Sequence, residues 1–257
     1  MERHIYLCED SAEGIFSAIY KAYEDQYGHE NNEVRIRKTN YNHELFCEYH
    51  TVETDYERAV KVARTIQRNI SGRAYEFVHK SAGSYQEEKA DAIYRFVQEG
   101  LRLGEAALNH LTAPHMQILY AIDRNINNEI HYFKEFLQFE ELENGALFGR
   151  INPKSAVLPY LAGHFEDRLS GERWIIADTI HRTMLIHGEN QQAAYVGMSE
   201  VDLEELELSY SAEEAKLQKL WKVFVDSIAI RERINLDLQR QMLPLRFRKY
   251  RKDFSDG

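Results

Sequence analysis

"FLQFEELENGALFGRINP", residues 136–153, is where the chain changes character. Before it, apolar residues recur every three or four positions. Within it, two short β-type runs flank Asn144-Gly145, the dipeptide that best supplies the positive φ angles of a tight hairpin turn. A chain that is helical up to this point and then makes hairpins is α+β rather than alternating β/α.

Working outward toward the N-terminus, the long preceding segment reads as one helix from about His115 to Leu137. Ile118, Ile122, Ile126, Ile130, Phe133 and Leu137 fall on a single stripe. Upstream, "TDYERAVKVARTIQRNI", "GRAYEFVHKSAG" and "SYQEEKADAIYRFVQEGLRLG" are three more helices. Capping boxes are expected at Thr54 with Glu57 and at Ser84 with Glu87. The first stretch, "HIYLCED", reads as a strand and the next as a helix capped at Asp10 and stopped near Gly28. "NEVRIRK" and "HELFCEYHTV" read as two further strands.

Downstream, "PYLAGHFEDRLSG" is a short helix and "RWIIADTIHRTMLIHGENQQAAYV" two or three strands. A capping box at Ser211 and Glu214 opens the last long helix, and a shorter one follows to Met242. The expected fold is a helix-rich α+β domain spanning 1–257, with a helical subdomain over about 54–136. A small, mostly antiparallel sheet combines the N-terminal strand with residues 137–197, and the C-terminal helices pack on it.

Composition narrows the function classes. Among 257 residues, 44% are hydrophobic and 29% charged, and no apolar run approaches a membrane span. The opening "MERHIYLCED" has neither the apolar core nor the cleavage site of a signal peptide, so a cytoplasmic location is expected. Two cysteines, Cys8 and Cys47, make no disulfide framework and no thiolate cluster. No Gly-rich phosphate loop, nucleophile elbow or HExxH motif occurs, and no metal or cofactor is expected.

The formal net charge is -10, yet the chain's last basic block runs the other way. Arg246, Arg248, Lys249, Arg251 and Lys252 surround Phe247 and Tyr250. Upstream, residues 189–215 carry eight acidic side chains and no Lys or Arg. Two readings stay open. The basic block can meet a nucleic-acid backbone, with its aromatics stacking on unpaired bases, or it can neutralise the acidic segment of the same molecule.

Arg124, Asn127, His131 and Lys134 share one helical face and offer a second place for anions. Glu129 lies on a different face from His131, so the two cannot chelate one ion from an intact helix. His131, His164, Asp178, His181 and His187 are the candidates for acid–base chemistry, but their spacing does not say which of them meet. The catalytic candidates carried forward are His131, His164 and Asp178.

Four segments carry a resemblance: "YLCEDSAEGIFSAIYKAYE", "RNINNEIHYFKEFLQF", "LPYLAGHFEDRLSGERWIIADTIHR" and "LWKVFVDSIAIRERINLDLQRQMLPLRFRKY". Together they resemble a bacterial family described as DNA metabolism or repair proteins. Its genes commonly lie beside one for a DNA-modification or repair radical S-adenosylmethionine protein, and it is related to a domain fused to uracil-DNA glycosylase-type proteins. The resemblance implies a partner that does the chemistry and a role on DNA. It points to Glu129, His131, Lys134, His164, Arg168, Asp178, Arg233, Asn235 and Arg246 as positions of interest. "IAIRERIN" departs from the family's usual Asn-Pro-Ala-Arg-x-Asn.

The expected function is therefore a DNA repair or modification accessory protein. Nucleic acid would be contacted through Arg124, Lys134, Arg168, Arg233, Asn235, Arg246, Arg248, Lys249, Arg251 and Lys252. The alternatives are a hydrolase or nuclease built on a His/Asp pair, and a protein–protein interaction module that binds no DNA.

Overall fold

A computed structural model describes residues 3–38, 44–189, 191–198 and 243–251. The chain forms two compact units, residues 1–126 and 127–257.

In the N-terminal unit, β1 (Arg3–Cys8) is the central strand of a three-stranded sheet. Its neighbours β2 (Asn32–Ile36) and β3 (Cys47–Thr51) both run parallel to it. Five consecutive residues of β1, His4 to Cys8, are buried, the mark of a strand covered on both faces. The expectation that this strand would join residues 137–197 in one sheet is thus corrected. The helix that follows β1 carries the chain back to pair β2 alongside it, and parallel pairing needs such a crossover. The α+β class itself holds.

That helix, α1 (Ala12–Glu24), is capped by Ser11, whose hydroxyl accepts the Gly14 N–H. Asp10, the expected cap, instead pairs with the buried ammonium of Lys89 at 2.5 Å. A similar one-residue shift occurs at α2 (Tyr56–Asn69). Asp55 caps it by accepting from Glu57 and Arg58, while the Thr54 hydroxyl donates to Glu9. α3 (Gly72–Ala82) is capped by Ser71. α4 (Lys89–Leu103) has no side-chain cap, and Ser84 accepts from the Gln86 amide in the preceding turn.

α5 (Pro114–Phe136) buries Met116, Leu119, Ile122, Ile126, Ile130 and Phe133 at spacings of three or four. Ile118, expected on that stripe, is 36% exposed. No helix among the described residues is long and apolar enough to cross a membrane.

The C-terminal unit begins within α5. After it, β4 (Phe139–Glu141) and β5 (Leu147–Ile151) form the expected hairpin. Gly145 takes a φ of 75° at the turn, and the Ala146 N–H donates to the Asn144 side chain. A 3₁₀ turn and α6 (Ala162–Arg168) then lead to β6 (Trp174–Asp178), which pairs in parallel with β5. β7 (Thr183–His187) and β8 (Ala194–Gly197) complete the sheet in order β4-β5-β6-β7-β8, antiparallel except for the β5–β6 pair. One face is packed by Phe148, Ala177 and Met198. Trp174 is fully buried, with His187 stacked on it at 4.8 Å and Phe165 edge-on at 6.3 Å. The helices expected over 211–242 lie outside the described residues.

The start of α1 depends on a close approach. A Cβ on Gly14 would stand 2.6 Å from the Glu9 carbonyl oxygen, whereas one on Gly72 would meet nothing. Gly14→Ala is expected to cost about 1–3 kcal/mol through displaced backbone. Gly72→Ala should be neutral or stabilising by up to about 1 kcal/mol. Urea midpoints of the two variants check this, and equal midpoints would contradict it.

Candidate nucleic-acid interface

Two turns before its end, α5 meets two segments of the C-terminal unit through one carboxylate. Glu129 is buried, and its two oxygens accept the backbone N–H groups of Lys154 and Ser155, each at 3.0 Å. The same carboxylate takes the guanidinium of Arg246. Two amides and a guanidinium together satisfy a charge that burial would otherwise penalise heavily. The Asn152 side-chain amide reaches the Arg246 carbonyl at 3.4 Å, closing the link between the loop after β5 and the C-terminal segment.

The aromatics of that segment extend the anchorage. Phe247 packs against Tyr132 and Phe133, with ring centroids 4.6 and 5.0 Å away. The Tyr250 hydroxyl lies 3.2 Å from the Thr179 hydroxyl. The Arg248 Nε donates to the Leu243 carbonyl at 3.0 Å.

The cations that remain are interleaved with rings. The Lys249 ammonium lies 5.0 Å from the Tyr250 centroid, and Lys249 is exposed. The Arg251 guanidinium lies 5.5 Å from Phe136, and that of Arg150 lies 5.6 Å from Tyr250. Tyr132, Phe136 and Tyr250 are each half-buried. They border a narrow groove with Gln138, Arg150 and Arg251 whose enclosed volume is about 10 Å³. That is room for a single water, so a flat ligand would lie across the rim rather than enter.

Asp178 and His181 form a second cluster. Asp178, fully buried at the end of β6, accepts the N–H groups of Ile180 and His181 through one oxygen. Its other oxygen lies 2.7 Å from His181 Nδ1. This hydrogen bond lifts the His181 pKa above the ordinary imidazole value. Burial opposes the shift, while the charges of Asp178 and Glu129 and a hydrogen bond to the Lys154 backbone reinforce it. His181 therefore ties the turn after β6 to the loop that Glu129 holds.

The other expected site residues scatter. His131 is exposed, 3.7 Å from Glu135. His164 lies edge-on to Phe165, and its buried Nε2 has no hydrogen-bond partner among the described residues. Asp178 meets neither of these histidines in a hydrogen bond; its imidazole partner is His181. His187 Nδ1 is engaged with the Glu172 carbonyl at 2.9 Å. Lys134 is half-buried near the end of α5, Arg168 is exposed in the last turn of α6, and Arg124 is exposed in the N-terminal unit. Arg233, Asn235 and Lys252, and every acidic residue of the 189–215 stretch except Glu189, lie outside the described residues.

The sequence reading missed a cleft of about 710 Å³ in the N-terminal unit, lined by Arg35, Lys38, Asp91, Arg95, His115 and Ile118 among others. Exposure of Ile118 on α5 is explained by this cleft. Its cations are balanced: Arg35 by Glu33 and Glu44, Lys38 by Glu87 at 2.5 Å, and Arg95 by Asp91 at 3.2 Å. Burial raises the Asp91 pKa, partly offset by Arg95. The i, i+4 spacing of Asp91 and Arg95 was the one visible signal in the sequence.

Residues 87–252, more than half of the chain, match the family described as DUF4130, a domain of unknown function. The chain belongs to the DUF4130 family. The matched segment contains Glu129, Asp178, His181 and Arg246, and it excludes all three strands of the N-terminal sheet. Among solved structures, a DHH-domain chain described as a member of the s1p family of ribosomal proteins aligns at 10% identity. The alignment covers 88% of this chain and 79% of that one, with a TM-score of 0.29. No curated protein matches the chain.

Two outcomes follow for the anchor. Arg246→Ala leaves a buried carboxylate short of its cation. It is expected to cost about 2–3 kcal/mol, below the usual cost of breaking a buried pair because the Arg246 side chain is 27% exposed. Lys249→Ala should be within about 0.5 kcal/mol of wild type. Thermal unfolding separates them, and equal losses would contradict an anchoring role.

For His181, the folded-state pKa lies above the unfolded value of about 6.5. Its contribution is fully present below that pH and is lost as pH rises through the folded pKa. The wild-type melting temperature should fall more steeply above about pH 6.5 than that of His181→Gln. Parallel pH profiles would contradict the assignment.

Proposed function

We propose that the protein acts in DNA repair or modification as an accessory factor that contacts nucleic acid. Its binding surface is the cation–aromatic face of the C-terminal unit, and its partner is a radical S-adenosylmethionine protein that carries out the chemistry. One observation carries the reading. The C-terminal segment is fastened by Arg246 on Glu129, by Phe247 and by Tyr250, while Lys249, Arg251 and Arg150 sit among half-exposed rings, with Arg150 also paired to Glu140. Alternating cations and aromatic faces suit phosphates and unpaired bases, because every base has a face to stack and every nucleotide a charge to neutralise. Among the described residues, this surface has no projecting helix suited to duplex readout. The partner rests on the family resemblance alone.

A hydrolase built on Asp178 is less well supported. Asp178 spends its oxygens on two backbone amides and on His181, and His181 also engages the Lys154 backbone. A general base needs a nitrogen free to take a proton from substrate.

Fluorescence anisotropy with labelled single-stranded and duplex DNA tests the proposal. Binding should favour the single strand and weaken steeply with salt. Lys249→Glu with Arg251→Glu should weaken it at least tenfold, and Tyr250→Ala by about 1–3 kcal/mol. Retention on a DNA column that is unchanged in the charge-reversed protein would remove the surface from consideration.

A further inference from the structure

The N-terminal sheet holds a cluster that the DNA-contact reading does not use and that lies outside the DUF4130 segment. β1 and β3 pair with His4 opposite Glu48 and Tyr6 opposite His50. Side chains alternate faces along a strand, so these four project from the same side of the sheet. Cys47 and Tyr49 project from the other, and the Cys47 thiol contacts Glu44.

His4 Nδ1 lies 3.1 Å from His50 Nε2 and 3.3 Å from a Glu48 carboxylate oxygen. One ligand atom from each of the three residues falls within 4.8 Å of the others. An ion bound at about 2.1 Å holds two imidazole nitrogens about 3.0 Å apart at a right angle and about 3.4 Å apart at the tetrahedral angle. The observed separation falls between. Without a cation the arrangement is contested: His4 Nδ1 either holds one proton that His50 Nε2 and Glu48 both face, or accepts one from His50 and turns its lone pair toward the Glu48 carboxylate. With a cation, three lone pairs converge on one point.

The rings are held for this. Tyr27 stacks flat on His4, with centroids 3.8 Å apart and planes 7° apart. Tyr6 stacks on His50 at 4.9 Å, and its hydroxyl donates to Asp25 at 3.2 Å. His4 is buried, whereas the Glu48 side chain is 51% exposed, so the cluster opens to solvent on the carboxylate side.

We propose that His4, His50 and Glu48 bind one divalent first-row transition ion, of which Zn²⁺ is the type, with a remaining coordination position open to water beside Glu48. Two neutral imidazoles and one carboxylate favour such ions over Mg²⁺ and Ca²⁺, which prefer all-oxygen sets. The ion would also cross-link β1 to β3 within the sheet.

The test uses untagged full-length protein stripped with a chelator. Titration with Zn²⁺ by calorimetry and with Co²⁺ by visible absorption should each show one ion per chain at micromolar concentration, undisturbed by millimolar Mg²⁺. His4 is buried in the sheet, so the discriminating variants are His50→Ala and Glu48→Gln, with circular dichroism confirming that both stay folded. Each should weaken binding roughly tenfold or more, and His50→Ala should lose the Co²⁺ band. His131→Ala, which removes an exposed imidazole from the other unit, should change nothing. Absence of stoichiometric binding, or binding that survives both variants, overturns the site.

Discussion

The C-terminal unit turns on one buried carboxylate. Glu129 sits on a helix, but its partners come from a loop 25 residues on and from an arginine 117 residues on. A carboxylate in a nonpolar setting must be satisfied on both oxygens, and here two amides and a guanidinium do so. That requirement fixes the path of residues 152–155, and the 243–251 segment is pinned where Arg246 can reach. Phe247 then has Tyr132 and Phe133 to pack on, and Tyr250 has Thr179. His181 reaches the same loop from the other side through Lys154. The cations of the 243–251 segment are placed by this arrangement together with their own contacts to neighbouring rings.

The two units use charge differently. In the N-terminal unit, arginines and lysines around the large cleft are matched by carboxylates nearly one for one. Such a cleft does not draw polyanions. In the C-terminal unit Lys249 and Arg251 each lie against an aromatic ring, while Arg246 is paired with Glu129 and Arg150 with Glu140. On the proposed reading, phosphate would meet these cations and rings locally, which the overall charge of -10 does not announce.

Much of the local structure was legible because it is written in short-range chemistry. Asn144-Gly145 between β-type runs could hardly be anything but a hairpin, and the stripe on α5 has the helical period over five turns. Caps were displaced by one residue at α1 and α2 because neighbouring Asp, Ser and Thr can all accept an amide, and only the local geometry chooses. The pairing of β1 with β2 and β3 was not legible as parallel, although an unbroken buried run was there to suggest it. Contacts between distant residues were the real limit. Nothing near Glu129 in the sequence announces Arg246, and the register that sets His4 against Glu48 and His50 exists only once the strands are paired. Asp178 and His181 were both singled out, yet that they would find each other rather than His131 or His164 depends on the turn after β6.

The most direct measurement is hydrogen exchange in wild type and in Glu129→Gln, followed amide by amide. If the carboxylate organises this unit, the amides of Lys154 and Ser155 and those of Phe247 and Arg251 lose protection together when it is neutralised. Should the C-terminal segment keep its protection while the loop alone opens, the segment is held by its aromatics, and Glu129 is not the element on which the surface depends.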